Sequence, residues 1–522
     1  MPAIISDQFR ILNAANFVAG VANTANSYYT FLGLPNSGDV GLGYGTTDWN
    51  TNTPAPKDGI KEYNDDYDTM IALKKLGTGD VKRMVRKYSW TGGTVYEMYK
   101  SNYTRDNLSP QTASTNLYDA KYYVVNSQFK VYICINNGQN PTNPLGKQSL
   151  DEPTFTDLEP KAAGTSGDGY LWKYLYTISP SDIIKFDSIN YIPVPKNWST
   201  NTTDAAVRDN AENSGQLKIV TITNRGVGLG TANTTYKNVP IKGDGSGAEC
   251  TITVGNDSKV ESVTVSNGGS GYTFGTVDIV GGNVPTGTTR PTFDVIIPPQ
   301  GGHGSDIYRE LGAYNVMVYS RIENDLENPD FITGNQIARV GLVENPTSWN
   351  SNSLLSLDKA SALYALKLTG VGYSSATFPS DSQIRQTIST GTTAVGRVVS
   401  YNQTTGVLKY WQDKSLVGFN TDGTQNTNPT YGFSLNRFTS SVSSGGSLNI
   451  VGTNNTLGID TNFSGITTTI NSRTYNLGQE FASGVSNPEV EKYSGNVIYV
   501  DNRPSITRSS NQKEDIKVIL QF

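Results

Sequence analysis

The sequence predicts a mainly β protein in which one core is interrupted twice by inserted β-rich segments. Three observations carry this reading. The composition suits short strands joined by many turns, with 53 glycines, 30 tyrosines and only 17% charged residues in 522. Several segments alternate apolar and other residues at a period of two, as half-buried strands do. The texture changes near residue 216, reverts near 300, changes again near 351 and reverts after 485.

The elements follow in order. Residues 6 to about 20, SDQFRILNAANFVAG, are expected to be helical, capped by Ser6 or Asp7. SYYTFLGLP (27–35) reads as a strand. Two short helices are expected over 66–87, around Gly77-Thr78-Gly79, with the acidic run YNDDYD (63–68) capping them. AKYYVVNSQFKVYICINN (120–137) predicts a hairpin that turns near Asn126-Ser127. In GDGYLWKYLYTIS (167–179), Tyr170, Trp172, Tyr174, Tyr176 and Ile178 share one strand face. An aromatic ladder of this kind can serve as a glycan platform, but packing between sheets is the simpler reading.

Two stretches in the first insert resemble each other, IVTITNRGVGLGTANTTYKNVPI (219–241) and SVTVSNGGSGYTFGTVDI (262–279). Each has an alternating strand, an Asn before a glycine-rich turn, then a strand with Val-x-Ile, which predicts a small duplicated β domain. AYNVMVYSRI (313–322) is a strong strand. In the second insert, TTAVGRVVSYNQTTGVLKYWQ (392–412) predicts a hairpin, and the polar run 440–465 an exposed β module or a partly flexible lobe. At the C-terminus, Val497 to Val500 read as a strand buried on both faces, ending in a turn at Asp501-Asn502. Pro504 holds Arg503 extended, and Ile516, Val518, Leu520 and Phe522 alternate along a last strand. The expected result is a hairpin that closes a sheet.

The side-chain inventory limits chemistry. His303 is the only histidine, so two-His metal sites are excluded within one chain, and any His-based triad must use it. It sits among Pro and Gly in PPQGGHGSD with no G-x-S-x-G elbow nearby, so packing or hydrogen bonding is its expected role. Cys134 and Cys250 are expected to be buried free thiols, with a disulfide between them as the alternative. The runs GLGYG (41–45) and GVGLG (226–230) lack dinucleotide-motif spacing and read as turn glycines. A net charge of −5 argues against nucleic acid, and Lys82, Arg83, Arg86 and Lys87 read as a solvated surface. No run approaches the ~20 apolar residues of a spanning helix, and no signal peptide is read at the N-terminus. No cofactor is implied.

SGNVIYVDNRPSI, followed by a short loop and the terminal EDIKVILQF, resembles the end of the gene-product-eight family. These are baseplate wedge subunits of T-even-like contractile-tailed phages. GDGYLWKYLYTIS with INYIPVP (189–195) is similar to a second stretch of that family, while QFRILNAANF, YYTFLG and NQIARVGLVENP (335–346) match more loosely, in order. The resemblance covers about 1–215, 301–350 and 486–522; the inserts 216–300 and 351–485 are similar in style to those of enlarged cyanophage-like forms.

The resemblance implies a β-sandwich core with a few short helices in loops and no enzymatic role. It further implies a homodimer in the virion tail baseplate, made in the bacterial host cytoplasm and contacting other wedge proteins without membrane insertion. The inserts are expected to dock peripheral or fibre proteins. Tyr170, Trp172, Tyr174, Tyr176, Asn502, Arg503 and Pro504 are the structural or assembly candidates, the last three shaping the closure of the core. The alternative is a receptor- or glycan-binding tail adhesin, for which aromatic strands and Gly/Asn-rich turns are also suited. A polysaccharide depolymerase ranks third.

Overall fold

The computed structural model describes residues 6–35, 49–211, 216–323, 335–389, 392–412, 437–439, 447–450, 456–509 and 512–522. The fold is mainly β, with twenty-seven strands and five α-helices among the described residues, most of the helices short. The chain divides into two compact units. The first comprises Met1–Val18, Lys82–Val318 and Val518–Phe522, and the second Ala19–Val81 and Tyr319–Lys517. The expected insert 216–300 falls within the first unit and 351–485 within the second.

In the first unit the expected hairpin forms, Tyr123–Val125 against Lys130–Asn137, with Tyr170–Thr177 as the third strand. Asn126 makes the turn: its Oδ1 accepts from the backbone N–H of Gln128 and Lys130, at 2.9 and 2.8 Å. The sheet is apolar on both faces, so its strands read as near-continuous hydrophobic runs, and Val131, Tyr132, Ile133 and Cys134 are all inaccessible to solvent. Helix Pro180–Phe186 follows, with Pro180 in its first turn and the Ser179 hydroxyl accepting from Asp182 N–H.

Residues 217–295 of this unit hold a hydrophobic cluster of their own. The four-stranded sheet there runs Val260–Ser270, Ser246–Val254, Thr235–Gly243, Gly275–Val277, and a separate pair joins Ile219–Asn224 to Thr292–Ile296. The two similar sequences meet through their Val-x-Ile strands, with Ile241 opposite Val277. Gly226, Gly228 and Gly230 all take φ near +70 to +80°, a conformation that a side chain would oppose.

The second unit contains a five-stranded sheet in the order Lys359–Ser361, Met70–Lys75, Tyr28–Gly33, Gln336–Glu344, Asn496–Thr507. Its other large sheet closes on itself. From Val407–Trp411 it passes through Thr392–Asn402, Gln383–Ser389, Ser447–Ile450 and Thr456–Ile459 to Tyr364–Thr369, which pairs back with Val407–Trp411. Leu366, Leu368, Ile384, Val398, Leu408 and Tyr410 fill the interior of this small barrel. The expected hairpin over 392–412 forms one side of it. Much of the polar run 440–465 lies outside the described residues.

Three expectations are corrected. Residues 66–87 do not form two helices: helix Ile60–Thr69 ends as Met70–Lys75 begins, and Val81–Arg86 is also a strand. Met70 to Leu73 are buried in a central strand, and such a run cannot be told from a buried helix by periodicity. The acidic run therefore lies inside a helix rather than capping one. Asp501-Asn502 is not a turn, because Asn496–Thr507 passes straight through it, half-exposed rather than buried on both faces. The last two strands also join different sheets, so they are not a hairpin. Pro504 is tolerated because this is an edge strand, at a point where the register jumps from Ile337–Ile506 to Arg339–Asn502.

Candidate functional site

A cleft of about 640 Å³ lies in the second unit, between the loop and first helical turns at 54–63 and the edge strand Asn496–Thr507. Arg339 forms its base. This side chain is buried on Gln336–Glu344, directly opposite Asn502 in the ladder. Its Nε donates to Asn502 Oδ1 at 3.0 Å and lies 3.4 Å from Asp66 Oδ1, while Nη1 donates to Thr69 Oγ1 at 2.6 Å. Asn502 Nδ2 in turn donates to the Pro54 carbonyl at 3.0 Å. One guanidinium thus ties helix, inner strand, edge strand and loop together. A buried charge is tolerable in such a place only because its donors are satisfied.

The helix lines the cleft with Ile60, Glu62, Tyr63 and Asp66. Tyr63 and Tyr67 stack edge to face at 5.1 Å, and the Tyr67 hydroxyl donates to the Ser494 carbonyl at 2.8 Å. Asp66 lies one residue before Tyr67, turned toward Arg339. Burial pushes the Asp66 carboxyl up to about 6, the Arg339 charge pulls it back, and Glu62 adds to the rise. The described lining contains no serine, cysteine or histidine, and its ionisable groups are Lys57, Asp58, Glu62, Tyr63, Asp66, Arg339 and Tyr499. This chemistry suits binding and cross-bracing.

Among the expected site residues, only Asn502 lines the cleft; Arg503 and Pro504 continue the same strand outward. Arg503 makes a charge-assisted bond, its Nε donating to Asp501 Oδ2 at 2.6 Å, but its side chain is exposed and the pair braces little. The aromatic ladder lies in the other unit and is buried throughout. Trp172 stacks on Tyr170 at 5.3 Å. The Tyr170 hydroxyl donates to the Lys147 carbonyl at 2.7 Å, that of Tyr176 donates to Pro193 O at 3.2 Å, and that of Tyr174 pairs with Thr177 Oγ1. The faces a sugar would need are packed against protein.

His303 is likewise structural. Its Nδ1 lies 2.6 Å from Glu310 Oε1, both side chains are buried, and Glu310 Oε2 accepts from Gly304 N–H at 2.7 Å. Tyr99 meets the imidazole edge-on at 4.9 Å. Cys134 and Cys250 are free and buried, and burial pushes the Cys250 thiol up to about 12. The supposed solvated basic surface needs correction. Lys82 pairs with Asp182, Lys87 with Asp187 at 2.8 Å, and Arg83 lies 3.0 Å above the Tyr308 ring, leaving Arg86 exposed. These cations are absorbed by neighbours the sequence places about a hundred residues away or more. The run 41–45 lies outside the described residues.

Arg339 and Asp66 escaped the sequence reading. A signal existed for Arg339, the single cation between Ile337 and Val340 in an apolar strand. Its partners lie some 160 and 270 residues away, so no local pattern names them. Among the described residues, no group of three or more His, Cys, Asp or Glu is placed to hold a metal ion, and no helix is long and apolar enough to cross a membrane. Fold and cleft together define a mainly β protein with an ion-paired cleft beside a sheet edge. No family model and no curated protein matches the chain.

Proposed function

We propose that this chain is a structural subunit of a phage tail baseplate wedge, holding neighbouring wedge proteins and a second copy of itself. The resemblance of the terminal SGNVIYVDNRPSI and EDIKVILQF segments to that family carries the reading. The mainly β fold supports it, as does the burial of the aromatic strand that bears the second stretch of resemblance. A wedge subunit works mechanically. It needs large contact areas, about 2,000 Å² or more for obligate partners, and must survive rigid-body switching between discrete packings. Under this reading the segments 216–300 and 351–485 dock peripheral or fibre-bearing parts.

Cross-linking mass spectrometry on intact particles tests the proposal. Links from 1–215 and 486–522 to wedge proteins are expected, with self-links between copies. Links to distal fibre proteins alone would sink it and favour the adhesin. That rival has lost its clearest platform, since Tyr170, Trp172, Tyr174 and Tyr176 present no open face. Deleting either insert while recovering fully fibred, infectious particles would remove its docking role.

A further inference from the structure

We infer that Lys173, Asn210 and Glu159 form a self-modifying site, which joins the Lys173 and Asn210 side chains through an amide bond. All three residues belong to the first unit. Lys173 is the one charged residue of the strand Tyr170–Thr177, and it is only 4% exposed. Its Nζ donates to the Leu158 carbonyl at 2.6 Å and to Asn210 Oδ1 at 3.5 Å. Asn210 caps the C-terminal end of the helix Ala205–Asp209, its backbone N–H donating to Ala206 O at 3.0 Å. From its other side the same side-chain amide donates through Nδ2 to Glu159 Oε1 at 3.2 Å. One carboxamide thus has an amine at its oxygen and a carboxylate at its nitrogen. An amine is a nucleophile once it loses a proton, and a carboxylate can take that proton.

Each residue has a separate part. Burial would raise the Glu159 carboxyl, but the Asn210 hydrogen bond and the Lys218 charge, 3.3 Å away, hold it below its ordinary range. It is therefore a base at neutral pH. It takes one proton from the Lys173 ammonium, whose charge already acts on it. The freed amine attacks Asn210 Cγ once the amide turns to present carbon in place of oxygen. The new C–N bond forms, the attacking nitrogen passes a second proton to the amide nitrogen, and the Cγ–Nδ2 bond breaks. Ammonia leaves with the Glu159 proton as ammonium, so no oxidant, metal or nucleotide is consumed. Glu159 is exposed, which gives the departing ammonium a path to solvent. Burial of Lys173 holds the amine against its target, as intramolecular reactions need. The product closes residues 173 to 210 into a covalent loop that ties strand to helix. This chemistry holds whether or not the chain is a wedge subunit.

Intact-mass spectrometry of the full-length chain, after incubation at neutral pH, tests the inference. The chain is expected to weigh about 17 Da less than its sequence mass, the loss of one ammonia. A tryptic digest should then contain a branched peptide joining Lys173 to Asn210. Lys173→Arg and Asn210→Ala should keep the full sequence mass. Glu159→Gln preserves the shape of the site and should slow the bond at least about tenfold. A bond that forms as fast in Glu159→Gln would overturn the assignment of the base. Full sequence mass in the wild type would overturn the whole inference and leave an ordinary hydrogen-bonded cluster. The same ammonia loss without a branched peptide would overturn it too, because an asparagine closing on its own backbone loses the same mass.

Discussion

Glu97 shows how much one residue can hold. It is fully buried, and its carboxylate accepts from the backbone N–H of Gln111, Thr112 and Lys121 at 3.0, 2.9 and 2.7 Å. Glu97→Ala would orphan three donors, each charge-assisted bond contributing about 1.5–3 kcal/mol, so a loss of at least about 3 kcal/mol is expected in urea denaturation. Glu97→Gln keeps one acceptor and should recover part of that. Asp66 makes a pH-dependent prediction. Its pKa rises on folding, from 3.8 to about 6, so its stabilising contribution is complete below about pH 4 and is lost as pH rises through 6. The stability of the wild type relative to Asp66→Asn should therefore fall across that window, by about 3 kcal/mol for two units. A flat difference between pH 4 and 7 would contradict the placement of the carboxyl.

At the scale of the element, the edge strand Asn496–Thr507 separates two kinds of backbone position. Tyr499 bonds inward to Leu342, whereas Val500 faces the cleft. Tyr499→Pro should cost about 2–3 kcal/mol by removing a ladder bond, and Val500→Pro much less. Thermal unfolding of the two variants distinguishes them, and equal losses would mean that the register was assigned wrongly. The buried ladder makes a complementary case. Trp172→Ala should destabilise the protein by about 3–5 kcal/mol, because the ring fills space between Tyr170 and Tyr96. Saccharide binding, should any be found, would not depend on it.

For the molecule as a whole, the segment 217–296 brings its own ends together, Ile219–Asn224 pairing with Thr292–Ile296, and encloses its own cluster. A fragment spanning 216–300 should therefore fold alone, giving dispersed amide resonances and a cooperative thermal transition. A collapsed, poorly dispersed spectrum would show that its stability is borrowed from the rest of the chain. The closed barrel of the second unit has no such simple excision, because strands Tyr364–Thr369 and Val485–Ser486 pair across the whole of the intervening segment 370–484. Closure removes the edges that leave open sheets prone to aggregation, which suits a segment whose sequence is mostly small and polar.

Local chemistry in the sequence was enough to determine the fold class, the hairpins at 120–137 and 392–412, the paired repeats near 219 and 262, and the aromatic strand. Each of these rests on a period of two or a turn residue within a few positions, which neighbouring side chains enforce by themselves. The sequence was equally clear that the lone histidine sits in a tight connector, though Glu310 as its partner was not legible. Tertiary structure alone decided whether Met70 to Leu73 would be helix or strand, since a segment buried on both sides has no periodicity left to read. It also decided that the strand through Asp501, Asn502 and Pro504 runs on as an edge, where a missing ladder donor costs little. Arg339 and Asp66 became partners for the same reason. Charge pairing acts through space, and only the folded chain brings them within reach.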